Sequence, residues 1–159
     1  MSFIPQADPK ANYLAHKTRI QCAIKRVLES GSYILGREVK GFEKDFASFS
    51  GVKYAIGVNS GTDALQLALR ACGIGNNDAV VTASHTAVAT VAAIESAGAL
   101  PLLADIEPDT FTISPDSIEA VIKACRRKFR IKAIIPVHLY GQPADLERII
   151  KIARQNNVL

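Results

Sequence analysis

From Val52 onward the chain repeats one pattern: a short apolar run, a polar turn, then a stretch of helix formers. The apolar runs are Tyr54–Val58, Ala79–Thr82, Leu100–Ala104 and Lys132–Val137. Each is of strand length, and they recur at intervals of about 25 to 30 residues, enough for a crossover helix between parallel neighbours. The pattern predicts an α/β fold in three layers, a mostly parallel sheet with crossover helices. In such sheets ligands bind beyond the carboxyl ends of the strands. Three turns then fall on one rim: Asn59–Thr62, Ala83–Thr86 and His138–Gln142. They carry Ser60, Thr62, Ser84, His85, Thr86, His138 and Tyr140.

The first of these turns, Asn59-Ser60-Gly61-Thr62, joins the run at Tyr54–Val58 to the helix formers Thr62–Leu69. The opening amides of a helix have no partner within it, and the helix dipole adds partial positive charge there, so such a joint can hold a phosphate. Gly61 lets a ligand approach the backbone with no Cβ in the way. The plainer reading is a capped turn, with Ser60 or Thr62 as N-cap. No GxGxxG follows the first strand and no GxxxxGK[ST] occurs anywhere, which argues against a nucleotide-binding domain of either type.

Hydrophobic residues make up 48% and charged residues 21% of the 159, an ordinary globular balance that excludes a disordered tail. No apolar run approaches the roughly 20 residues of a membrane span, and the polar start MSFIPQADPK has no signal-peptide core. Cys22, Cys72 and Cys125 lie far apart in stretches of helical pattern and are expected to be buried or half-buried thiols. A reduced, cytoplasmic protein without membrane association is expected. The net charge of +4 owes much to Lys123, Arg126, Arg127, Lys128, Arg130 and Lys132. They sit where a helix should end and a strand begin, complementing the helix dipole and solvating the turn, and only Phe129 interrupts them, so no base-stacking ladder or nucleic-acid partner is expected.

Before Val52 the pattern is helical, and residues 1–51 read as an N-terminal helical segment ahead of an α/β domain over 52–159. Ala11–Leu28 spaces Leu14, Ile20, Ile24, Val27 and Leu28 as one face, ended by Gly31. A second helix from Glu38 carries Val39, Phe42, Phe46 and Phe49, expected as core packing. Between them Ser32–Gly36 is a glycine-flanked apolar insert. Further on, Ala87–Ala97 reads as a closely packed helix, Ser114-Pro115-Asp116 as a capped helix start, and Ala144–Gln155 as a helix with Leu146, Ile149, Ile150 and Ile152 inward. Val158-Leu159 reads as the start of another strand, so the chain is expected to be the front part of a longer protein.

Three stretches together carry a family pattern: SGSYILGREVKGFEKDFASFSGVKYAIGVNSGTDALQLALRA, SHTAVATVAAIESAGALPLLADIEPDTF and IIPVHLYGQPADLERI. From about Tyr13 onward the chain resembles the front part of the DegT/DnrJ/StrS group of pyridoxal-phosphate-dependent aminotransferases. The resemblance implies the large domain of fold-type-I pyridoxal 5'-phosphate transferases, truncated here. It implies transfer of an amino group, with glutamate the expected donor, to a nucleotide-linked keto-sugar in amino-sugar and polysaccharide biosynthesis, by a homodimer.

On this resemblance Ser60, Gly61, Thr62 and Asp63 hold the cofactor phosphate, with the Thr62 and Asp63 amides and the Thr62 hydroxyl as donors. Ala87 falls where relatives place an aromatic ring over the pyridine. Either that ring is partly uncovered or His85 swings in to cover it, the other reading of His85 being a cap on the following helix. Tyr33 and Ile34 match a region that approaches substrate, or else plug a dimer interface. His138 and Tyr140 match the loop near the cofactor edge, or else form a satisfied strand-end pair. The family's cofactor-bonding lysine and the aspartate facing the pyridine nitrogen match no position in this chain, so no catalytic residue and no metal ligand is assigned. The 159 residues alone are expected to be inactive. The alternative is a non-catalytic remnant that keeps phosphate binding or an interaction surface.

Overall fold

Three parallel strands set the frame of the larger of two units. The structure, a computed structural model, describes residues 5–159; the polar start read at 1–10 lies partly outside the described residues. Contacts divide the chain into one unit running to Gly57 and a second, Val58–Leu159.

In the second unit the order is α3 (Gly61–Ala71), β1 (Asp78–Ala83), α4 (Val88–Ala97), β2 (Leu100–Ala104), α5 (Pro115–Cys125), β3 (Arg130–Ile135) and α6 (Leu146–Asn156). The sheet order is β2-β1-β3 and both pairings are parallel. All six residues of β1 are buried, as the central strand of a covered sheet must be. Successive side chains alternate between faces. Val80 packs with Leu69, Ile94 and Ala97 of α3 and α4. Val81 packs with Ile118, Ile122, Ile149 and Ile152 of α5 and α6. Helices therefore cover both faces, and the three-layer parallel α/β expectation holds.

Helix ends follow the local chemistry. Ser114 accepts the Ser117 amide with Pro115 in the first turn, and Asp145 accepts that of Arg148 at 3.1 Å. Gly98 ends α4 at φ 93, where an L side chain is strained. Gln66 and Arg70 of α3 donate to the Ser96 carbonyl near the end of α4, at 3.0 and 2.8 Å. Asn76, in the chain just beyond α3, also lies against Gly98 at the end of α4, so the two packed helices end at the same edge and run in the same direction. Since α4 leaves the carboxyl end of β1, the first turns of both lie at that rim.

At the far end of β1, Asp78 is buried. It accepts the Gly75 amide at 3.1 Å and is ion-paired with Arg130. Burial pushes its carboxyl up, but the Gly75 amide and the Arg130 guanidinium together outweigh this and hold it below the usual carboxylate range. Arg130 opens β3, so the basic run passes from a helix end into a strand as expected. Leu159 donates to the Lys132 carbonyl at 2.9 Å and accepts from Ile134 at 2.8 Å, the ladder of a parallel neighbour to β3.

The first unit consists of α1 (Pro9–Ser30) and α2 (Arg37–Phe49), followed by a segment without regular secondary structure. Gly31 caps α1 at φ 66 as expected. Arg26 grips Glu38 through Nε at 3.1 Å and a terminal nitrogen at 3.3 Å, fixing one helix to the other. The guanidinium holds the Glu38 carboxyl below its ordinary range.

Several expectations need correction. Tyr54–Val58 is no strand: it makes no strand pairing among the described residues, its Gly57 amide goes to a side chain, the Glu43 carboxylate at 2.7 Å, and Ile56 is 81% exposed. An apolar run becomes a strand only where a neighbour accepts its amides. The α2 stripe is not core. Phe42, Phe46 and Phe49 are exposed and touch chiefly one another, with centroids 5.6 and 6.4 Å apart. Leu14, Ile24 and Leu28 of α1 are likewise exposed. Cys22 and Cys72 are exposed and only Cys125 is half-buried. Leu146 and Ile150 flank the buried Ile149 and Ile152 and remain substantially open.

Candidate functional site: the carboxyl rim of the sheet

The first turn of α3 begins at Ser60, whose backbone is extended (φ −155, ψ 165) and whose Oγ accepts the Asp63 amide at 3.1 Å. The Ser60 carbonyl accepts from Ala64 at 3.0 Å. No acceptor among the described residues takes the Gly61 or Thr62 amide. Both point from the positive end of an 11-residue helix. Beyond its own turn, no heavy atom of the described residues lies within 4 Å of where a Cβ on Gly61 would stand, so the approach is open. Thr62 is half-buried beside it and offers a hydroxyl. Ser60 is thus a cap as in the plainer reading, and the same cap leaves two amides and a hydroxyl facing outward. The Asp63 amide, expected as a phosphate donor, is instead engaged by Ser60. The free set fits a phosphate.

Each strand also sends one ring to the rim. His85 follows β1, Phe111 follows β2 and Tyr140 follows β3. The His85 Nε2 and Tyr140 Oη are 3.2 Å apart, with ring centroids at 6.0 Å. Phe111 meets Tyr140 edge-on, at 6.3 Å and 81°. Tyr140 and Gly141 have φ 54 and 79, and the Gln142 amide closes on Leu139 at 2.8 Å. Positive φ at both central positions is the signature of a type I′ turn, which favours Asn, Asp or Gly. A tyrosine there is held against its backbone preference.

His85 does not cap α4. The cap position is Ala87, with no side-chain hydrogen bond, and the nearby hydroxyls of Thr86 and Thr90 pair with each other at 2.9 Å. Ala87 is exposed and presents only a methyl group. His138 and Tyr140 do not pair with each other. The His138 Nδ1 accepts the Ala144 amide at 3.0 Å, holding the loop before α6. Tyr33 and Ile34 belong to the first unit, 65% and 84% exposed, and the Tyr33 hydroxyl donates to the Leu28 carbonyl at 3.3 Å. The structure therefore brings His85 and Tyr140 together and leaves His138 to a local structural bond. Phe111, in the loop between β2 and α5, carries no motif of its own in the sequence. The only signal was an aromatic residue in a loop following a strand.

A three-layer parallel sheet with an open helix terminus and aromatic side chains on its carboxyl rim defines an α/β protein whose sheet edge has the chemistry to accept a phosphate. Comparison with known proteins makes the class specific. The family described as "DegT/DnrJ/EryC1/StrS aminotransferase family" matches residues 15–159, and the chain belongs to it. It is 46% identical over 155 residues to a dTDP-3-amino-3,6-dideoxy-alpha-D-galactopyranose transaminase of Aneurinibacillus thermoaerophilus, covering 98% of this chain and 41% of that protein. The crystal structure of DesV from Streptomyces venezuelae, in complex with a ketimine intermediate, superposes with TM-score 0.90 at 41% identity, over 99% of this chain and 41% of that one. NtdA from Bacillus subtilis, with bound cofactor PMP, gives TM-score 0.83 at 33% identity, over 91% and 32%. The chain spans about two fifths of the length of the curated relatives it matches.

Proposed function

We propose that this chain supplies the cofactor-phosphate side of an aminotransferase site, and that the whole protein moves an amino group onto a nucleotide-linked keto-sugar in amino-sugar biosynthesis. The observation that carries the reading is the first turn of α3. It offers two amides without acceptors, a threonine hydroxyl and an open glycine, on the rim that also bears His85 and Tyr140. In this reading the Gly61 and Thr62 amides and the Thr62 Oγ hold the phosphate of pyridoxal 5'-phosphate. Ser60 positions that turn by capping Asp63, and the Asp63 carboxylate in the first turn favours the helix itself. The imidazole of His85, not Ala87, is the group able to lie against the cofactor ring. Tyr33 and Ile34 remain proposed contacts for substrate.

When bound, the cofactor serves as the electron sink that lets an amine pass from one carbon to another. These residues bind and orient it. The loops at 59–62, 84–87, 105–114 and 136–145 contain no lysine, so they supply no amine nucleophile. The expected donor is glutamate and the expected assembly a homodimer, both carried from the family resemblance. The transaminase relative named above acts on a dTDP-linked sugar at C3, which supports a 3-keto substrate.

The test is a cofactor titration followed by absorbance, on wild type and on Gly61→Val and Thr62→Val. Since a Cβ at Gly61 meets nothing, Gly61→Val should fold normally and still weaken binding at least tenfold. Unchanged affinity in both variants would sink the reading. Assay of the whole protein with a dTDP-linked 3-keto-sugar and glutamate tests the substrate class.

A further inference from the structure

The three rings on the rim make a connected series, and its last member has no assigned role. Phe111 sits in a loop stiffened at both ends. Ile106 bridges Ile113 in antiparallel fashion, and the Glu107 amide donates to the Thr112 carbonyl at 2.9 Å. Within that loop the Phe111 amide closes on the Glu107 carbonyl at 2.9 Å, and its backbone is left-handed at φ 58. Phenylalanine rarely adopts this conformation, and its side chain, 47% exposed, gains little burial from it. What the conformation does achieve is to set the ring edge-on to Tyr140. Tyr140 is itself left-handed and 77% exposed, and among the described residues its one side-chain hydrogen bond is with His85. Two bulky residues on separate loops thus hold disfavoured backbones, and both conformations serve the same ring series. Phe111 follows β2 and Tyr140 follows β3, on opposite sides of central β1. The loops reach toward each other across the strand that leads into His85.

We propose that Phe111 is a positioning residue: it braces Tyr140, and through Tyr140 it fixes the imidazole of His85 at the rim. That the imidazole is fixed for a flat cofactor ring rests on the function proposed above. The bracing itself does not, since all three side chains make these contacts within the protein alone. Neither Phe111 nor Tyr140 is given any step in the chemistry.

The experiment is nitrogen-15 spectroscopy of the histidine side chains in the whole protein, without cofactor, where ring-nitrogen shifts report tautomer and hydrogen bonding at His85. His85→Gln assigns its signals. Tyr140→Phe keeps the ring but removes the hydroxyl, and should move the His85 resonances toward those of an unconstrained imidazole. Phe111→Ala should move them in the same direction, and Phe111→Tyr should restore them. Should Phe111→Ala fail to fold, Phe111→Leu keeps most of the bulk without the ring edge and should give the same displacement. The proposal is overturned if Tyr140→Phe moves the His85 signals while Phe111→Ala or Phe111→Leu leaves them at wild-type positions. It is overturned equally if Tyr140→Phe moves nothing. Because no cofactor is present, either failure leaves the Gly61 and Thr62 titration standing as a separate result.

Discussion

The hydroxyl of Ser60 accepts the amide of Asp63 at 3.1 Å, and this bond separates holding the helix from holding the ligand. Ser60 satisfies the third orphan amide of α3 and leaves those of Gly61 and Thr62 outward. Ser60→Ala should therefore cost about 1 kcal/mol of stability, as loss of an N-cap does. Thr62→Val should leave the unfolding midpoint within about 0.5 kcal/mol of wild type while weakening cofactor binding. Denaturant unfolding beside a cofactor titration checks both; equal stability losses in the two variants would refute this division of roles.

Asp78 lies at the opposite end of the sheet, and its lowered carboxyl contributes to behaviour in acid. Its folded carboxyl lies below the unfolded value of about 3.9. The stability it contributes is thus complete above roughly pH 4 to 5 and is lost as pH falls through its folded value. Wild type should lose stability faster than Asp78→Asn between about pH 5 and 3. At neutral pH, Asp78→Ala removes the acceptor of the Gly75 amide and should cost about 1–3 kcal/mol. Urea unfolding at stepped pH measures both; parallel pH profiles would contradict the assignment.

The frame of the second unit was legible in the sequence because it rests on local signals. The buried run at Val80–Val81 and the Ser114–Pro115 start are each decided by a few neighbouring residues, as is the Gly31 stop in the first unit. The failures share a different cause. Tyr54–Val58 has the composition of a strand, but pairing depends on a partner that local sequence does not specify. The Phe42–Phe46–Phe49 stripe has helical spacing, and spacing does not say whether anything covers it. At the site, the Ser60–Thr62 turn was readable as a helix start, whereas the His85–Tyr140–Phe111 series joins loops separated by up to 55 positions. No local pattern announces such a meeting.

The two kinds of apolar residue should behave differently when replaced. Ile94 is fully buried between α4 and the sheet, so Ile94→Ala should cost about 2–5 kcal/mol. Phe49 is 88% exposed, so in the chain by itself Phe49→Ser should change stability by no more than about 0.5 kcal/mol. Thermal unfolding of both variants of the 159-residue chain decides this. A large loss for Phe49→Ser would show that the α2 stripe is covered in solution.

Tyr140 provides a case where stability and function should move in opposite directions. At φ 54 it occupies a turn position that asparagine adopts more readily. Its ring is mostly exposed, so replacing it forfeits little burial. Tyr140→Asn should therefore leave the fold as stable as wild type or more so, by up to about 1 kcal/mol. The same change removes the hydroxyl within reach of His85 and the ring that meets Phe111. The imidazole signals should then match those of Tyr140→Phe, and cofactor binding should weaken. A strained residue retained where a relaxed one would serve the backbone better is expected at a site that uses the side chain. If Tyr140→Asn is destabilised by more than about 1 kcal/mol, the tyrosine is there for the fold, and the strain at this turn carries no functional meaning.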